Sequence, residues 1–206
     1  MLSKLQYISQ GVNAEEQERN ILKALLNGAD WIQVRWKNTD DRSLEKLCIK
    51  IRNYCREFGA QCIINDHVSI AKAIDADGVH LGLADTPVAE ARSILGNNKI
   101  IGGTANTIED IKQRIDENCD YIGLGPFRFT STKEKLSPIL GLEGYKNIFK
   151  HFQEQQISLP PVFAIGGIQV EDINALKDVG LYGVAVSGLI AKNPELVSTI
   201  KTIFNE

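Results

Sequence analysis

A regular alternation between short apolar runs and amphipathic segments is the feature that most constrains the fold of this 206-residue chain. The runs are rich in Val, Ile, Leu and Tyr and are short enough to be single strands. They cover residues 5–9, 31–35, 62–65, 78–81, 100–103, 121–124, 162–165 and 183–186. Because strands that alternate with helices form right-handed βαβ units, the pattern predicts an α/β protein with a parallel sheet.

The segments between the runs have helical periodicity. After the second run, Leu44, Leu47, Ile51 and Cys55 recur at spacings of three and four, and Gly59 supplies a helix stop. Eight strand–helix repeats favour a closed (β/α)₈ TIM barrel, and a doubly wound open sheet is the alternative. No linker or shift in composition divides the chain, so we expect one domain over residues 1–206.

Composition excludes several classes of function. The 23 Lys and Arg residues against 26 Asp and Glu give a net charge of −3, which argues against nucleic acid or anionic membrane as partners. No segment has the ~18 apolar residues of a membrane span or the pattern of a secretion signal. We therefore expect a cytoplasmic protein that acts on small molecules. Its 4 cysteines lack CxxC spacing and are expected to be buried free thiols. The sequence leaves open whether the chain forms a homo-oligomer.

Two aspartates follow neighbouring runs. Asp66 ends the third run and Asp85 follows the fourth, so in a parallel sheet both carboxylates would lie at one rim. Such a pair suits Mg²⁺ carrying a phosphate or diphosphate, because Mg²⁺ prefers one or two carboxylates plus substrate oxygens. Each aspartate alone is equally suited to a turn or a helix cap. Their joint position beside a cationic strand favours the metal interpretation.

The cationic strand is the second run. Gln33, Arg35 and Lys37 alternate with apolar residues, a pattern that an amphipathic edge strand would also give. A closed barrel has no edge strand, so the apolar face must contact the helices and the polar face must point into the lumen. Cations in the lumen need an anion or carboxylates as partners. Arg35 can bind phosphate oxygens bidentately, and Lys37 supplies a mobile point charge.

Glycine and hydroxyl residues follow the last three runs. Residues 125–141 form the longest irregular stretch, which is either a surface loop or a functional loop that carries Thr130, Ser131, Thr132 and Lys133. Gly166 and Gly167 follow the seventh run and Ser187 follows the eighth, where barrels frequently bind phosphate. The two glycines are either turn residues or part of a phosphate site. Within the strands, His80 is either a core histidine or a group facing the substrate. Thr104 is either a cap or an anion contact.

Taken in order, these segments resemble the thiamine-phosphate synthase family, also called thiamine-phosphate pyrophosphorylases. The resemblance covers nearly the whole chain. It rests on six motifs in register, namely Gln33-Val34-Arg35-Trp36-Lys37, Ile64-Asn65-Asp66, Asp77-Gly78-Val79-His80-Leu81-Gly82, Gly125-Pro126 through Thr130-Ser131-Thr132-Lys133, Ile165-Gly166-Gly167-Ile168 and Val186-Ser187.

The resemblance implies a TIM-barrel transferase that joins hydroxymethylpyrimidine diphosphate to thiazole phosphate, giving thiamine phosphate and diphosphate. It implies that Asp66 and Asp85 bind Mg²⁺ and that Arg35, Lys37 and Lys133 are catalytic. The pyrimidine diphosphate would be bound by Gln33, Arg35, Lys37, Asn65, Thr104 and Lys133, with His80 and Tyr7 lining the pyrimidine pocket. The thiazole phosphate would be bound by Thr130, Ser131, Thr132, Gly167, Val186 and Ser187.

The residue types suit a dissociative mechanism. The sequence contains no clear pairing of a nucleophile with a base, so catalysis would depend on stabilising the departing diphosphate and positioning the thiazole. Two alternatives share the barrel, a thiazole tautomerase and a noncatalytic sensor of thiamine phosphates, but neither needs two carboxylates with Lys37 and Lys133.

The chain departs from the family pattern at a few positions. Trp36 stands where an acidic residue is usual, Leu83 replaces a glutamine and Thr104 replaces a serine. Arg128 and Phe129 also vary the loop that follows the sixth run. Trp36 and Leu83 bear on loop packing and substrate contacts, whereas Thr104 keeps the hydroxyl group.

Overall fold

Eight short parallel strands pair in chain order, and the last pairs with the first to close a barrel. The computed structural model describes residues 2–129 and 138–205. The strands are β1 (Leu5–Ile8), β2 (Trp31–Val34), β3 (Gln61–Asn65), β4 (Gly78–Leu81), β5 (Ile100–Ala105), β6 (Tyr121–Leu124), β7 (Val162–Ile165) and β8 (Gly183–Val186). The predicted (β/α)₈ TIM barrel is confirmed, and the open-sheet alternative is wrong.

Helices surround the barrel in the segments that have helical periodicity. They are α1 (Ala14–Leu26), α2 (Asp41–Phe58), α3 (Val68–Ala73), α4 (Val88–Leu95), α5 (Ile108–Asp116), α6 (Gly141–Glu154), α7 (Ile173–Asp178), α8 (Gly188–Lys192) and α9 (Leu196–Asn205). A short 3₁₀ helix at Val170–Asp172 precedes α7. Helix α2 ends as predicted, because Gly59 adopts a left-handed conformation with φ of 66°. Within residues 2–129 and 138–205, no helix is long and apolar enough to cross a membrane.

Period-two alternation divides the strand residues into two layers. In β2, Ile32 and Val34 join the large core between barrel and helices, whereas Trp31 packs in the lumen. The rings of Tyr121 and Phe163 each lie 4.9 Å from the Trp31 ring, edge-on. This aromatic cluster fills the lower part of the lumen. Polar residues further along the same strand faces therefore lie above it, towards the carboxyl ends of the strands.

Small residues make room for this layer. A Cβ atom on Gly102 would lie 2.1 Å from Cζ of Tyr121, so only glycine at that position allows the Tyr121 ring into the lumen. The four cysteines are free and buried, as predicted.

Candidate active site

The two aspartates that the sequence singled out come together at the carboxyl end of the barrel. Asp66 follows β3, and its backbone N–H donates to the carbonyl oxygen of His80 in β4, at 2.9 Å. Asp85 lies in the loop after β4, where its Oδ2 atom accepts the backbone N–H of Gly82 at 2.6 Å. The Asp66 and Asp85 carboxyl groups lie close enough to interact with each other. Two carboxylates this close repel each other when both are ionised.

The surroundings of Asp66 make its ionisation unfavourable. Burial, then the hydrogen bond and charge of Asp85, raise the pKa of Asp66 from 3.8 to about 7, while Lys37 and Arg35 act in the opposite direction. A divalent cation bound between two such carboxylates would offset their repulsion. No group of three or more His, Cys, Asp and Glu side chains suited to a metal occurs in residues 2–129 and 138–205. Two carboxylates fit Mg²⁺ that takes its remaining ligands from substrate and water.

Neither aspartate caps the helix that follows it, although Asp85 accepts a hydrogen bond within its own turn. The N-cap residue of α3 is His67 and that of α4 is Pro87, and no side chain caps either helix. Asp66 also has a left-handed backbone with φ of 63°, which is uncommon for residues other than glycine. Such conformations often occur at functional sites. The helix-cap interpretation is therefore excluded for both aspartates.

The cationic residues of the second run lie beside the aspartates. Arg35, Lys37, Asn65 and Asp66 line a cavity of about 260 Å³ at the rim. Arg35 is half-buried and Lys37 is exposed. Burial lowers the pKa of the Arg35 guanidinium, and the negative charge of Asp66 opposes that shift. The cavity therefore combines cationic and carboxylate groups, as an Mg²⁺–diphosphate site requires.

Two of the departures from the family pattern lie near this rim. Trp36 packs partly against the core between barrel and helices and forms part of the cavity wall. Leu83 is exposed in the loop that carries Asp85. Neither residue interrupts the polar face formed by Gln33 and Arg35.

Below the rim, five buried side chains form a continuous hydrogen-bonded chain across the lumen. Gln33 Nε2 donates to Gln6 Oε1 at 2.8 Å, and Gln6 Nε2 donates to Tyr121 Oη at 3.1 Å. His80 then connects Tyr121 to Thr104, with Nδ1 3.0 Å from Tyr121 Oη and Nε2 3.0 Å from Thr104 Oγ1. We call these five residues the lumen network. Gln33, His80 and Thr104 are candidates from the sequence, whereas Gln6 and Tyr121 were missed.

The structure does not bring Tyr7 into the lumen. Gln6 points inwards, so alternation turns Tyr7 towards the helices, where it belongs to the large core. Its hydroxyl approaches the backbone N–H of Gln10 without a well-formed hydrogen bond. Burial raises the pKa of Tyr7 well above its usual range. The position of Tyr7 gives no support to its predicted role in the pyrimidine pocket.

The glycines after β7 allow a close approach between two loops. Gly166 and Gly167 have φ of 87° and 71°, and a Cβ atom on Gly167 would lie 2.8 Å from Cβ of Arg128. The backbone N–H of Arg128 donates to the Gly166 carbonyl at 2.9 Å. Val186 ends β8, and Ser187, which follows it, donates from Oγ to Gln10 Oε1 at 3.3 Å. Gly167, Val186 and Ser187 thus occupy the ends of adjacent strands.

Arg128, one of the departures from the family pattern, joins these loops through its side chain. Its guanidinium forms a two-pronged ion pair with the carboxylate of Asp172, and Nη1 also donates to the Gly167 carbonyl at 3.2 Å. Burial alone would raise the pKa of Asp172, but hydrogen bonds from Arg128 and the Gln169 N–H outweigh it and lower that pKa. Arg128 thus fixes the start of the segment that carries four predicted site residues.

Those four residues, Thr130, Ser131, Thr132 and Lys133, lie outside the described residues. Their predicted contacts with the two substrates stay predictions.

Comparisons with known proteins show which family and fold the chain resembles. A sequence profile described as thiamine monophosphate synthase matches residues 6–190. A thiamine-phosphate synthase from Flavobacterium psychrophilum is 56% identical over 193 residues, which cover 94% of this chain and 93% of the relative. One from Bacteroides fragilis is 45% identical over 205 residues and the full length of both chains. The solved thiamine phosphate pyrophosphorylase from Pyrococcus furiosus superposes with a TM-score of 0.81 at 29% identity, covering 98% and 97% of the two chains.

Proposed function

The chain belongs to the thiamine monophosphate synthase family, and we propose that it transfers the hydroxymethylpyrimidine group from its diphosphate to thiazole phosphate. The products are thiamine phosphate and diphosphate. The observation that carries this proposal is the proximity of the Asp66 and Asp85 carboxyl groups beside Arg35 and Lys37. A barrel that only isomerised or sensed a thiazole phosphate would have no use for that combination.

Diphosphate binding is the role that we assign to the cationic rim. Arg35 offers a planar fork of donors to the phosphate oxygens, Lys37 adds a mobile charge, and Lys133 is predicted to add another. Asp66 and Asp85 would hold Mg²⁺, which neutralises charge on the departing diphosphate when bound. These groups stabilise charge that grows as the diphosphate leaves, so they act most strongly in the transition state.

The reaction is proposed to be dissociative. The bond between the pyrimidine methylene and the diphosphate oxygen breaks, and its electron pair leaves with the diphosphate. The thiazole nitrogen then forms a bond to the methylene carbon. The loops after β6, β7 and β8 hold the thiazole phosphate in line with this carbon, and Gly167 and Ser187 lie where its phosphate is expected to bind.

The test is a reaction of the purified protein with both substrates and Mg²⁺. We expect diphosphate release that requires both substrates and is lost when a chelator removes the metal. Isomerisation of a thiazole phosphate alone would instead assign the chain as a tautomerase. Binding without turnover would assign it as a sensor.

Arg35→Ala and Lys133→Ala are matched variants for the proposed diphosphate site. Each should lower kcat by roughly 10²-fold or more, the size expected for losing a group that stabilises transition-state charge, while the melting temperature stays close to that of the parent protein. Near-parental turnover in either folded variant would contradict the role assigned to that cation.

A further inference from the structure

The lumen network places a hydroxyl group beside an imidazole, an arrangement that the sequence did not reveal. Thr104 Oγ1 lies 3.0 Å from His80 Nε2. If Nε2 carried no proton, it could accept the Thr104 proton and activate the hydroxyl as a nucleophile. If Nε2 carries the proton, it donates to Thr104, and the hydroxyl cannot be activated in that way. The tautomer of His80 therefore determines the chemical character of Thr104.

The opposite side of the His80 ring fixes this tautomer. Tyr121 Oη accepts a hydrogen bond from Gln6 Nε2 at 3.1 Å. The buried phenol has a single proton that needs an acceptor, and an amide N–H cannot accept it. The other neighbour of the phenol oxygen is His80 Nδ1, at 3.0 Å. A nitrogen that accepts is unprotonated in a neutral imidazole, which leaves the proton on Nε2.

We propose that Gln6 and Tyr121 are positioning residues that hold His80 as the Nε2–H tautomer, so that Thr104 donates its hydroxyl proton to the substrate. Thr104 accepts from His80 on its oxygen, and its own proton stays available for an acceptor in the lumen. With the proposed function as premise, that acceptor is a nitrogen of the pyrimidine ring. The same tautomer prevents His80 from acting as a base towards Thr104, which agrees with a reaction that forms no covalent intermediate on the protein.

Burial makes this arrangement well defined. Gln6, Gln33 and Tyr121 are at most 2% exposed, and His80 and Thr104 are each 7% exposed. Leaving a buried polar group without its partner is costly, so the members of the network constrain one another. Gly102 leaves the space that the Tyr121 ring occupies, because a side chain at that position would clash with the ring.

The first experiment reads the tautomer directly and needs no substrate. Nitrogen NMR of the protein labelled at its 3 histidines distinguishes protonated from unprotonated ring nitrogens. His67→Gln and His151→Gln variants assign the signals. We expect His80 of the parent protein to have a protonated Nε2 and an unprotonated Nδ1. An Nδ1–H tautomer, or a doubly protonated ring at pH 8, would overturn the proposal.

The second experiment removes one hydroxyl group. Tyr121→Phe should abolish the tautomer preference and raise KM for the pyrimidine diphosphate about tenfold, with little change in KM for the thiazole phosphate. Tyr145→Phe is the matched control, because Tyr145 is equally buried but its hydroxyl donates to the Leu124 carbonyl on the helix side. It should leave the tautomer and both KM values unchanged. Equal effects of the two substitutions would overturn the proposal.

Thr104 itself supplies the rescue test. Thr104→Val, which removes the hydroxyl, should raise KM for the pyrimidine diphosphate as Tyr121→Phe does, whereas Thr104→Ser should restore it.

The proposed function and the proposed role of Gln6 and Tyr121 can fail separately. A protein with the Nε2–H tautomer but no transfer activity would refute the proposed function alone. An active protein with the opposite tautomer would refute only the role of Gln6 and Tyr121.

Discussion

Replacing Asp66 by asparagine should stabilise the fold at alkaline pH while it removes a proposed metal ligand. The raised pKa of Asp66 means that its ionised carboxyl group is less favourable in the folded chain than in the unfolded chain. The free energy of unfolding therefore falls as pH rises from about 4 to about 7, and the deficit persists above that pH. An amide at position 66 has no charge to desolvate. It can donate a hydrogen bond to Asp85, and asparagine tolerates the left-handed backbone found there.

The size of the stabilisation follows from the pKa shift of Asp66. A pKa raised from 3.8 to about 7 corresponds to an upper limit of ~4 kcal/mol, since each unit is worth ~1.4 kcal/mol. Asp66 remains partly exposed at the cavity, so solvent screening reduces this to roughly 1–2 kcal/mol. For a chain of this length each kcal/mol shifts the melting temperature by about 2–4 °C. We expect Asp66→Asn to melt roughly 2–8 °C higher than the parent protein at pH 8.

The assay is thermal unfolding of both proteins from pH 4 to pH 8 without metal. The difference in melting temperature should be near zero at pH 4, grow up to about pH 7 and stay constant above it. Adding Mg²⁺ with diphosphate should then raise the melting temperature of the parent protein more than that of the variant, because a ligand stabilises only the state that binds it. Turnover of the variant should be strongly reduced.

Asp116→Asn is the control for simple charge removal, because Asp116 is an exposed aspartate at the end of α5. Its melting temperature should follow that of the parent protein at every pH. A variant at position 66 that is no more stable at pH 8, or equally stabilised at pH 4 and pH 8, would refute the reasoning about the buried carboxyl pair.

Two further substitutions test the neighbouring geometry. In Gly82→Ala the new Cβ atom would lie 2.6 Å from Asp85 Oδ2, so the carboxylate must move. We expect several-fold more Mg²⁺ to be needed for half-maximal activity with the fold intact, and an unchanged Mg²⁺ titration would contradict this. Arg128→Met removes the ion pair to Asp172 that joins the loops after β6 and β7. It should raise KM for the thiazole phosphate more than KM for the pyrimidine diphosphate in steady-state assays, and equal changes in both would argue against a role specific to the phosphate loops.

The fold could be predicted because local signals agreed along the whole chain. Each of the eight apolar runs became a strand, with ends within about two residues of those predicted. Strand β5 extends to Ala105, beyond the predicted end at residue 103, because Thr104 and Ala105 continue the pairing with β6. The local sequence does not predict a strand at Thr104. Backbone pairing with the neighbouring strand β6 keeps it in the sheet.

The rim of the site was predictable for a geometric reason. Parallel strands end at one edge, so residues that follow adjacent strands must be neighbours, and the Asp66 carboxyl group lies close enough to Asp85 for its pKa to be raised. Alternation likewise placed Gln33 and Arg35 on the lumen face. Tyr7 could not be placed in this way, since its face depends on the register of β1, and a tyrosine suits either layer.

The lumen network was missed because its members are far apart in the sequence and each is individually unremarkable. Gln6 and Tyr121 are 115 positions apart, and Tyr121 reads as an ordinary apolar strand residue. A signal was present in the alternation of β1, which turns Gln6 towards the lumen as the alternation of β2 turns Gln33. Two lumen-facing amides in adjacent strands indicate a polar layer inside the barrel, since an unpartnered buried amide would be costly.

The vertical order of residues in the barrel follows from the cost of burying each kind of group. The aromatic cluster around Trp31 occupies the lower lumen, the neutral lumen network lies above it, and ionisable Arg35, Lys37 and Asp66 lie at the rim. Neutral polar groups can be fully buried when every hydrogen bond is made, whereas charged groups lose far more hydration free energy on leaving water. The proposed substrate has an uncharged heteroaromatic ring with hydrogen-bonding nitrogens and a charged diphosphate, which is the same order of polarity. In the proposed binding mode the ring points inwards to the lumen network, and the diphosphate stays at the rim where a cation and solvent can reach it.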